Sequence, residues 1–284
     1  MRNMNQLLLK RKLEEFILED VGEGDVTTES LLVSGEYRCA NIVAKEGGVL
    51  AGSDVIIAGY EVINSDITVE LFKRDGESFE KGEVLATVSG TVKDLLAGER
   101  VILNLLQRMS GIATMAKRAK SVLNDESIRI CDTRKTTPGL RMFEKYAVRC
   151  GGAYNHRRSL SDAVLLKENH LLASGGVKKA VEAVRERIGH MVKVEVETTN
   201  EHEVLEAIAA DVDVIMFDNA TPKEVKAYQQ LVPGHIVTEA SGGINLNTLA
   251  EYAGCGCHYI SLGCLTHSVQ STDISFLLIE EEQR

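Results

Sequence analysis

Tryptophan is absent from this 284-residue chain, and aromatic residues make up only 5% of it. A single-stranded nucleic-acid surface stacks bases on aromatic side chains set among cations. The basic residues here have no such interleaved partners, so no nucleic-acid partner is expected. Long apolar runs are missing as well. None approaches the ~20 residues a membrane helix needs. Met1 to Lys12 is polar apart from Leu7-Leu8-Leu9 and has no signal-peptide architecture. The expectation is a cytoplasmic protein without a membrane partner. The third absence is a second cysteine pair. Cys39, Cys131, Cys150, Cys255, Cys257 and Cys264 are scattered, and nothing completes a structural zinc set with Cys255-Gly256-Cys257-His258. Reduced, mostly buried thiols follow.

What is present is an ordinary globular composition, 44% hydrophobic and 26% charged. The charge is unevenly placed. Between Arg129 and Lys167 stand nine Lys or Arg against three acids, a segment of +6 in a chain of −10. A cationic island in an acidic protein suggests a small anionic ligand.

The second half alternates apolar runs with amphipathic stretches. Strands are predicted at Ile128–Cys131, Ala163–Leu166, Val192–Val196, Val212–Phe217, His235–Thr238 and Tyr259–Leu262. Helices are predicted at Gly139–Cys150, Val177–Ile188, Glu201–Ala210, Pro222–Leu231 and Leu246–Tyr252. Repeated strand–helix units mean a parallel sheet with right-handed crossovers. Six strands at this spacing favour a barrel over an open sheet without deciding between them. Thr137 and Thr221 are N-cap candidates, each followed by proline at the first helical position. The first ~110 residues differ. Gly76, Gly82 and Gly90 punctuate short β-prone segments, suggesting an α+β domain, and Leu95 to Ala119 is helical in pattern.

Polar groups follow each predicted strand. Asp132-Thr133-Arg134-Lys135, Lys167-Glu168, Glu197, Asp218-Asn219, Glu239-Ala240-Ser241-Gly242-Gly243 and Gly263 stand at the six ends. In a parallel barrel those ends share one face, where the chemistry lies. A solvated charge run would not need the two threonines and the proline–glycine helix entry of Thr133-Arg134-Lys135-Thr136-Thr137-Pro138-Gly139. Arginine offers a planar fork to carboxylate or phosphate, and lysine a point charge. His156 adjoins Arg157 and Arg158, so anion binding is the better reading for His156 and Arg157. Glu195 and Glu197 share one side of their strand. A buried Glu195 needs a partner, with Lys193 or Lys167 as candidates. Glu197 and Asp218 offer hard oxygens suited to magnesium beside substrate phosphates. Ser241-Gly242-Gly243 and Ser261-Leu262-Gly263 are small-residue turns whose N–H groups can approach a phosphate.

With these motifs on view, the chain resembles quinolinate phosphoribosyltransferases almost end to end. The likeness runs through Glu19-Asp20, Gly24-Asp25-Val26-Thr27, Gly98-Glu99-Arg100-Val101-Ile102-Leu103-Asn104 and Ser110-Gly111-Ile112-Ala113-Thr114. It continues through the Asp132–Gly139 loop, Lys167-Glu168-Asn169-His170, Glu195-Val196-Glu197 and Asp218-Asn219. It ends with Glu239-Ala240-Ser241-Gly242-Gly243-Ile244 and Gly263-Cys264-Leu265-Thr266-His267. The resemblance implies an incomplete (TIM-like) α/β barrel with an N-terminal α+β sandwich domain. Residues 1–112 would form that domain, with 269–284 packed on it, and 113–268 the barrel.

The resemblance further implies transfer of the phosphoribosyl group of 5-phosphoribosyl-1-pyrophosphate (PRPP) to quinolinate with decarboxylation. The products would be nicotinate mononucleotide, pyrophosphate and CO2, a step of NAD biosynthesis, with Mg2+ as cofactor. It implies a homodimer with shared sites, in which Arg100 reaches the partner's cavity. Thr133, Arg134, Lys135, His156, Arg157 and Lys167 would line the quinolinate and pyrophosphate pocket. Glu197 and Asp218 would address the ribose hydroxyls and the metal, and Lys135, Glu197 and Asp218 carry catalysis. Ser241, Gly242, Gly243, Leu262, Gly263, Cys264 and His267 would hold the 5-phosphate. Cys264 departs from the small residue common there, and Arg158 makes the rim more basic.

Two rivals are weighed. A related pyrophosphorylase-like protein of molybdate-transport operons shares the Thr-Arg-Lys-Thr loop, but the fuller N-terminal domain and Lys167-Glu168-Asn169-His170 speak against it. A non-catalytic metabolite sensor would keep the glycine turns and could lose Lys135, Glu197 or Asp218. All three are present.

Overall fold

A computed structural model describes residues 4–31 and 35–279. Residues 1–3 of the polar start and 280–284 of the expected C-terminal packing segment lie outside the described residues. Helix α1 (Gln6–Val21) begins where the Asn5 side chain accepts the N–H groups of Leu7 and Leu8. Then come α2 (Val26–Ser30), β1 (Tyr37–Ala44), β2 (Gly48–Val49), α3 (Ser53–Ile63), β3 (Thr68–Leu71), β4 (Ser78–Phe79) and β5 (Val84–Thr91). The long α4 (Val92–Leu123) leads into β6 (Arg129–Cys131), α5 (Arg141–Cys150), β7 (Val164–Leu166), α6 (Glu168–Ser174) and α7 (Val177–Arg185). After these run β8 (Val194–Thr198), α8 (Glu201–Ala209), β9 (Val214–Asp218), α9 (Pro222–Leu231) and β10 (Val237–Ser241). A 3-10 turn (Leu249–Tyr252), β11 (Tyr259–Ser261), α10 (Cys264–His267) and β12 (Ile274–Leu278) complete the order. Among the described residues no helix is long and apolar enough to cross a membrane.

The chain divides into two compact units. The first holds residues 1–117, 138–152 and 269–284. Its antiparallel sheet has the order β12-β1-β5-β3, so a strand from the far end of the sequence pairs along β1, Ala44 opposite Ile274. Ile42, Tyr60, Leu85, Leu95 and Leu106 form the centre of its core, each burial worth ~1.5–3 kcal/mol before entropy is charged against it. Tyr60 Oη donates to the Leu95 carbonyl, which keeps its one polar atom satisfied. Arg108 donates through Nε and Nη2 to the buried Glu144 carboxylate at 2.8 and 2.6 Å, tying α5 to α4.

The second unit holds residues 118–137 and 153–268. Its six parallel strands run β6-β11-β10-β9-β8-β7. The first strand in sequence lies beside the last, and the others follow in chain order. This is a barrel arrangement left unpaired between β6 and β7, the incomplete barrel expected. The strand ends required correction. β8 reaches Thr198 and β10 reaches Ser241, two to three residues beyond the apolar runs. A ladder is made by backbone groups, so it continues through Glu197 and Glu239 where hydropathy stops.

Helix starts held in one case and moved in the other. Thr221 and Glu224 form a capping box with Pro222 in the first turn. Thr137 is not the N-cap of α5, which starts after Leu140, a residue that provides no side-chain cap. The predicted helix at Leu246–Tyr252 is only the short 3-10 turn from Leu249.

Asp213, just before β9, joins three elements of this unit. Its Oδ2 accepts the Val194 N–H and Arg185 Nη2, both at 2.8 Å, and its Oδ1 accepts Lys193 Nζ at 2.9 Å. Burial opposes its charge, yet the Val194 N–H, Lys193 and Arg185 outweigh burial and lower the pKa. A carboxylate with a depressed folded pKa contributes stability that is fully present above its unfolded value, about 3.9, and is lost as pH falls through the folded value. Asp213→Ala should therefore cost about 1–3 kcal/mol in urea unfolding at pH 7. The gap from the unmutated protein should shrink below about pH 4; a pH-independent gap would show that the charge is immaterial.

Candidate active site

One cavity of about 500 Å3 opens in the second unit. It is lined by Thr133, Arg134, Lys135, His156, Arg157, Lys167, Glu197, Asp218, Ser241, Gly242 and Gly243, all anticipated from sequence. Leu165, Met216, Asn219 and Ser261 also line it. Leu165, Met216 and Ser261 sit two residues before Lys167, Asp218 and Gly263. Period-two alternation therefore puts each on the inward face, and that signal could have found them.

Each element delivers its residues for a local reason. Asp132, fully buried, accepts the His156 N–H at 2.8 Å and Asn155 Nδ2 at 2.7 Å. It thereby fastens the His156–Arg157 segment to the end of β6. Thr133 Oγ1 accepts the Lys135 N–H, and Thr266 Oγ1 donates to the Lys135 carbonyl at 2.7 Å. A Cβ built on Gly263 would stand 3.0 Å from the His267 ring and 3.1 Å from Lys135 Cδ. Gly263 and His267 are thus neighbours of the Lys135 side chain, although neither lines the cavity.

The cationic wall is incompletely paired. Arg134 Nε is buried without a hydrogen-bond partner. Arg157 Nη1 donates to the Ala163 carbonyl. Burial, then the Arg134 guanidinium, lowers the Arg157 pKa, while Glu195 and Asp162 raise it. Two crowded guanidiniums with an orphaned donor are a site prepared for an anion.

The opposite edge is acidic. Lys167 Nζ contacts Glu197 Oε2 at 2.5 Å. Asn219 Nδ2 donates to Asp218 Oδ2 at 2.6 Å. Burial first, and then the Glu197 charge, raises the Asp218 pKa against the pull of Lys167 and Lys135. Two carboxylates held apart in charge by their neighbours are the donor set a hard divalent cation relieves, so Glu197 and Asp218 fit magnesium.

Beneath them the expected pairing of Glu195 is corrected. Lys193 goes to Asp213 and Lys167 to Glu197, each lysine having a carboxylate of its own. Glu195 instead meets His156 Nε2 at 3.1 Å.

Leu262 and Cys264 are buried, and burial pushes the Cys264 thiol up. Only their backbone is left for a ligand. Arg100 lies on α4 in the first unit, exposed, with Nη2 3.5 Å from Glu99.

Fold and cavity define an α/β-barrel protein that binds a polyanion between guanidiniums and a carboxylate pair. The sequence pattern of the quinolinate phosphoribosyl transferase C-terminal domain matches residues 112–277, and that of its N-terminal domain matches residues 25–110. A probable carboxylating nicotinate-nucleotide pyrophosphorylase of Bacillus subtilis is 53% identical over 96% of this chain and 94% of its own length. A Synechocystis protein of the same description is 41% identical over 88% of this chain and 85% of its own. The crystal structure of NadC from Streptococcus pyogenes superposes with a TM-score of 0.94 at 37% identity, covering 99% of this chain and 100% of that one. The chain belongs to the quinolinate phosphoribosyl transferase family.

The turn after β10 shows how tightly backbone is drawn in. Gly242 has φ +89°, and a Cβ there would fall 2.4 Å from Asn219 Oδ1 and 2.6 Å from Asn219 N. Asn219 itself has φ +56° and donates its N–H to the Ser241 carbonyl. Gly243, at φ +67°, has open space around its missing Cβ. Gly243→Ala should therefore show only the left-handed strain, roughly 1 kcal/mol, and Gly242→Ala should cost about 1–3 kcal/mol more. Equal losses in chemical denaturation would mean that the close approach to Asn219 does not constrain the turn.

Proposed function

We propose that the protein transfers the phosphoribosyl group of PRPP to quinolinate, with loss of CO2, yielding nicotinate mononucleotide and pyrophosphate. The carboxylating pyrophosphorylase named for its relatives is this reaction written backwards. The observation that carries the reading is the make-up of one cavity: the Arg134 and Arg157 guanidiniums with Lys135, the Glu197 and Asp218 carboxylates with Lys167 paired to Glu197, and the Ser241-Gly242-Gly243 turn all line it. Family membership favours it over the molybdate-operon alternative, which gains no support.

The residues fit the chemistry. Quinolinate carries two carboxylates, which match the forks of Arg134 and Arg157. Lys135 and Lys167 offset the charge of the departing pyrophosphate. As the bond from C1 of the ribose to the pyrophosphate oxygen breaks, the ring nitrogen bonds to that carbon. Catalysis then rests on holding the two in line. The positive pyridinium nitrogen takes up the electron pair when the adjacent carboxylate leaves as CO2, and a proton replaces it. Glu197 and Asp218 orient the ribose hydroxyls and would hold magnesium, which when bound neutralises phosphate oxygens. Ser241, Gly242, Gly243, Gly263 and His267 receive the 5-phosphate. A homodimer with shared sites in the cytoplasm completes the reading.

Purified protein given quinolinate, PRPP and magnesium should form nicotinate mononucleotide and CO2 together. Nicotinate should turn over at least a hundredfold less efficiently, since a charge left unpaired in a partly dry pocket costs about 3 kcal/mol. Arg157→Ala should raise the quinolinate KM and narrow that ratio. Comparable turnover of both acids by the unmutated protein would remove quinolinate as the substrate.

Arg100 is assigned to the partner's site. Mixed dimers of inactive Arg100→Ala and inactive Lys135→Ala chains should regain about a quarter of the activity per mole, because one intact site of two forms in half of the randomly mixed dimers. No recovery in demonstrated heterodimers would place Arg100 outside the shared site.

A further inference from the structure

Under the cavity floor three titratable side chains meet that the reaction scheme above does not use together. Glu195 on β8 and Glu239 on β10 come from alternate strands, each two residues before a cavity residue on the same inward face. His156 Nε2 lies 3.1 Å from Glu195 Oε2 and 3.6 Å from Glu239 Oε1. Potential ligand atoms of all three fall within 4.8 Å of one another. Both glutamates are buried, at 5% and 4% exposure. Glu239 Oε1 makes no hydrogen bond.

One histidine and two carboxylates could hold a divalent metal. The imidazole argues otherwise. Its Nδ1 accepts the Arg157 backbone N–H at 2.8 Å, so that lone pair is in use and the ring proton belongs on Nε2. A protonated Nε2 donates to carboxylates and has no lone pair for an ion. The cluster is therefore a hydrogen-bonded one, with a single N–H facing two acids.

Two ionised carboxylates in one dry site repel, and one of them keeps its proton. Among the described residues neither is ion-paired to a lysine or arginine, only to His156. Burial, then the Glu195 charge, pushes Glu239 up to about 7, with His156 and Ser261 pulling the other way and Asp132 adding to the rise. Glu239 is then the acid that stays neutral. Glu195 then keeps the charge and accepts the imidazole N–H.

We propose that Glu239 is a positioning residue: as a neutral acid beside Glu195, facing the same imidazole nitrogen, it leaves one charged carboxylate to lock His156 as the Nε2–H tautomer. Both ring nitrogens are then occupied below and beside the cavity, and His156 presents ring carbon to the ligand. Substrate charge falls to Arg134, Arg157 and the lysines, while His156 serves as a flat wall for a planar ring. The retained Glu195 charge also steadies Arg157 from beneath. The wall's role rests on the quinolinate reading; the tautomer does not.

The test uses the full-length protein labelled with nitrogen-15. Long-range proton–nitrogen spectra distinguish a bare Nδ1 with a protonated Nε2 from the other states, and His156→Gln identifies the signal by removing it. The expected result is the Nε2–H tautomer in the unmutated protein and in Glu239→Gln, whose amide keeps the shape and neutrality of the protonated acid. Kinetically, Glu239→Leu should raise the quinolinate KM about tenfold with the PRPP KM little changed, and Glu239→Gln should restore most of that loss. The proposal falls if His156 is doubly protonated or carries its proton on Nδ1. It also falls if Glu239→Gln is as damaging as Glu239→Leu, or if the purified protein holds a stoichiometric metal that Glu239→Gln releases. Should quinolinate prove not to be the substrate, the spectra still decide the tautomer, so the two failures remain distinguishable.

Discussion

The site depends on the parallel register of six short strands. Ser241 lies opposite Asp218, and Glu197 opposite Met216. Because paired residues of parallel strands face the same side, this register turns Leu165, Glu195, Glu197, Met216, Asp218, Glu239 and Ser241 to the same face of the sheet. Lys167 stands above Leu165, Glu197 above Glu195, Asp218 above Met216, and Ser241 above Glu239. A slip of one residue would turn every one of these groups toward the helices. Packing, charge balance and chemistry all follow from that one alignment.

Charge balance is the second constraint, and it is met separately in each layer. At the mouth, Lys167 with Glu197 and the crowded Arg134 and Arg157 leave a net positive wall whose orphaned Nε waits for an anion. Beneath the cavity, among the described residues, Glu195 and Glu239 have no ion-paired lysine or arginine, so the balance is struck by retaining a proton. The low dielectric that would strengthen attraction for an anion at the mouth is also what disfavours a second charge beneath it.

Backbone geometry completes the arrangement where side chains cannot. The turn after β10 comes so close to Asn219 that position 242 admits no Cβ, and Asn219 is itself left-handed. Asn219 in turn holds Asp218, so the glycine acts on the carboxylate edge as well as on its own turn. On the far side, Asp132 performs the matching task with a side chain, gripping the backbone of His156 from a fully buried position. Both devices keep mobile polar groups in place before any ligand arrives.

Much of this was legible in the amino-acid sequence. Alternating strands and helices, polar residues at strand ends and the Thr133–Lys135 loop are local features, written in hydropathy and in turn chemistry. They were sufficient to place the strand–helix units and most residues of the mouth, while the incomplete barrel was what the family resemblance implied. The strand ends were misjudged because ladders continue through polar residues that hydropathy excludes, and Thr137 was taken for a cap that α5 does not use. Pairing was beyond reach. Whether Glu195 meets Lys193, Lys167 or His156 depends on which strands are neighbours and on how a loop 39 residues earlier folds over them. The sequence by itself determined which groups face inward, since alternation along a strand is a local property. Only the tertiary structure decided which of them share a proton, a charge or a wall, because those distances are set by strand order and register, which no single segment contains.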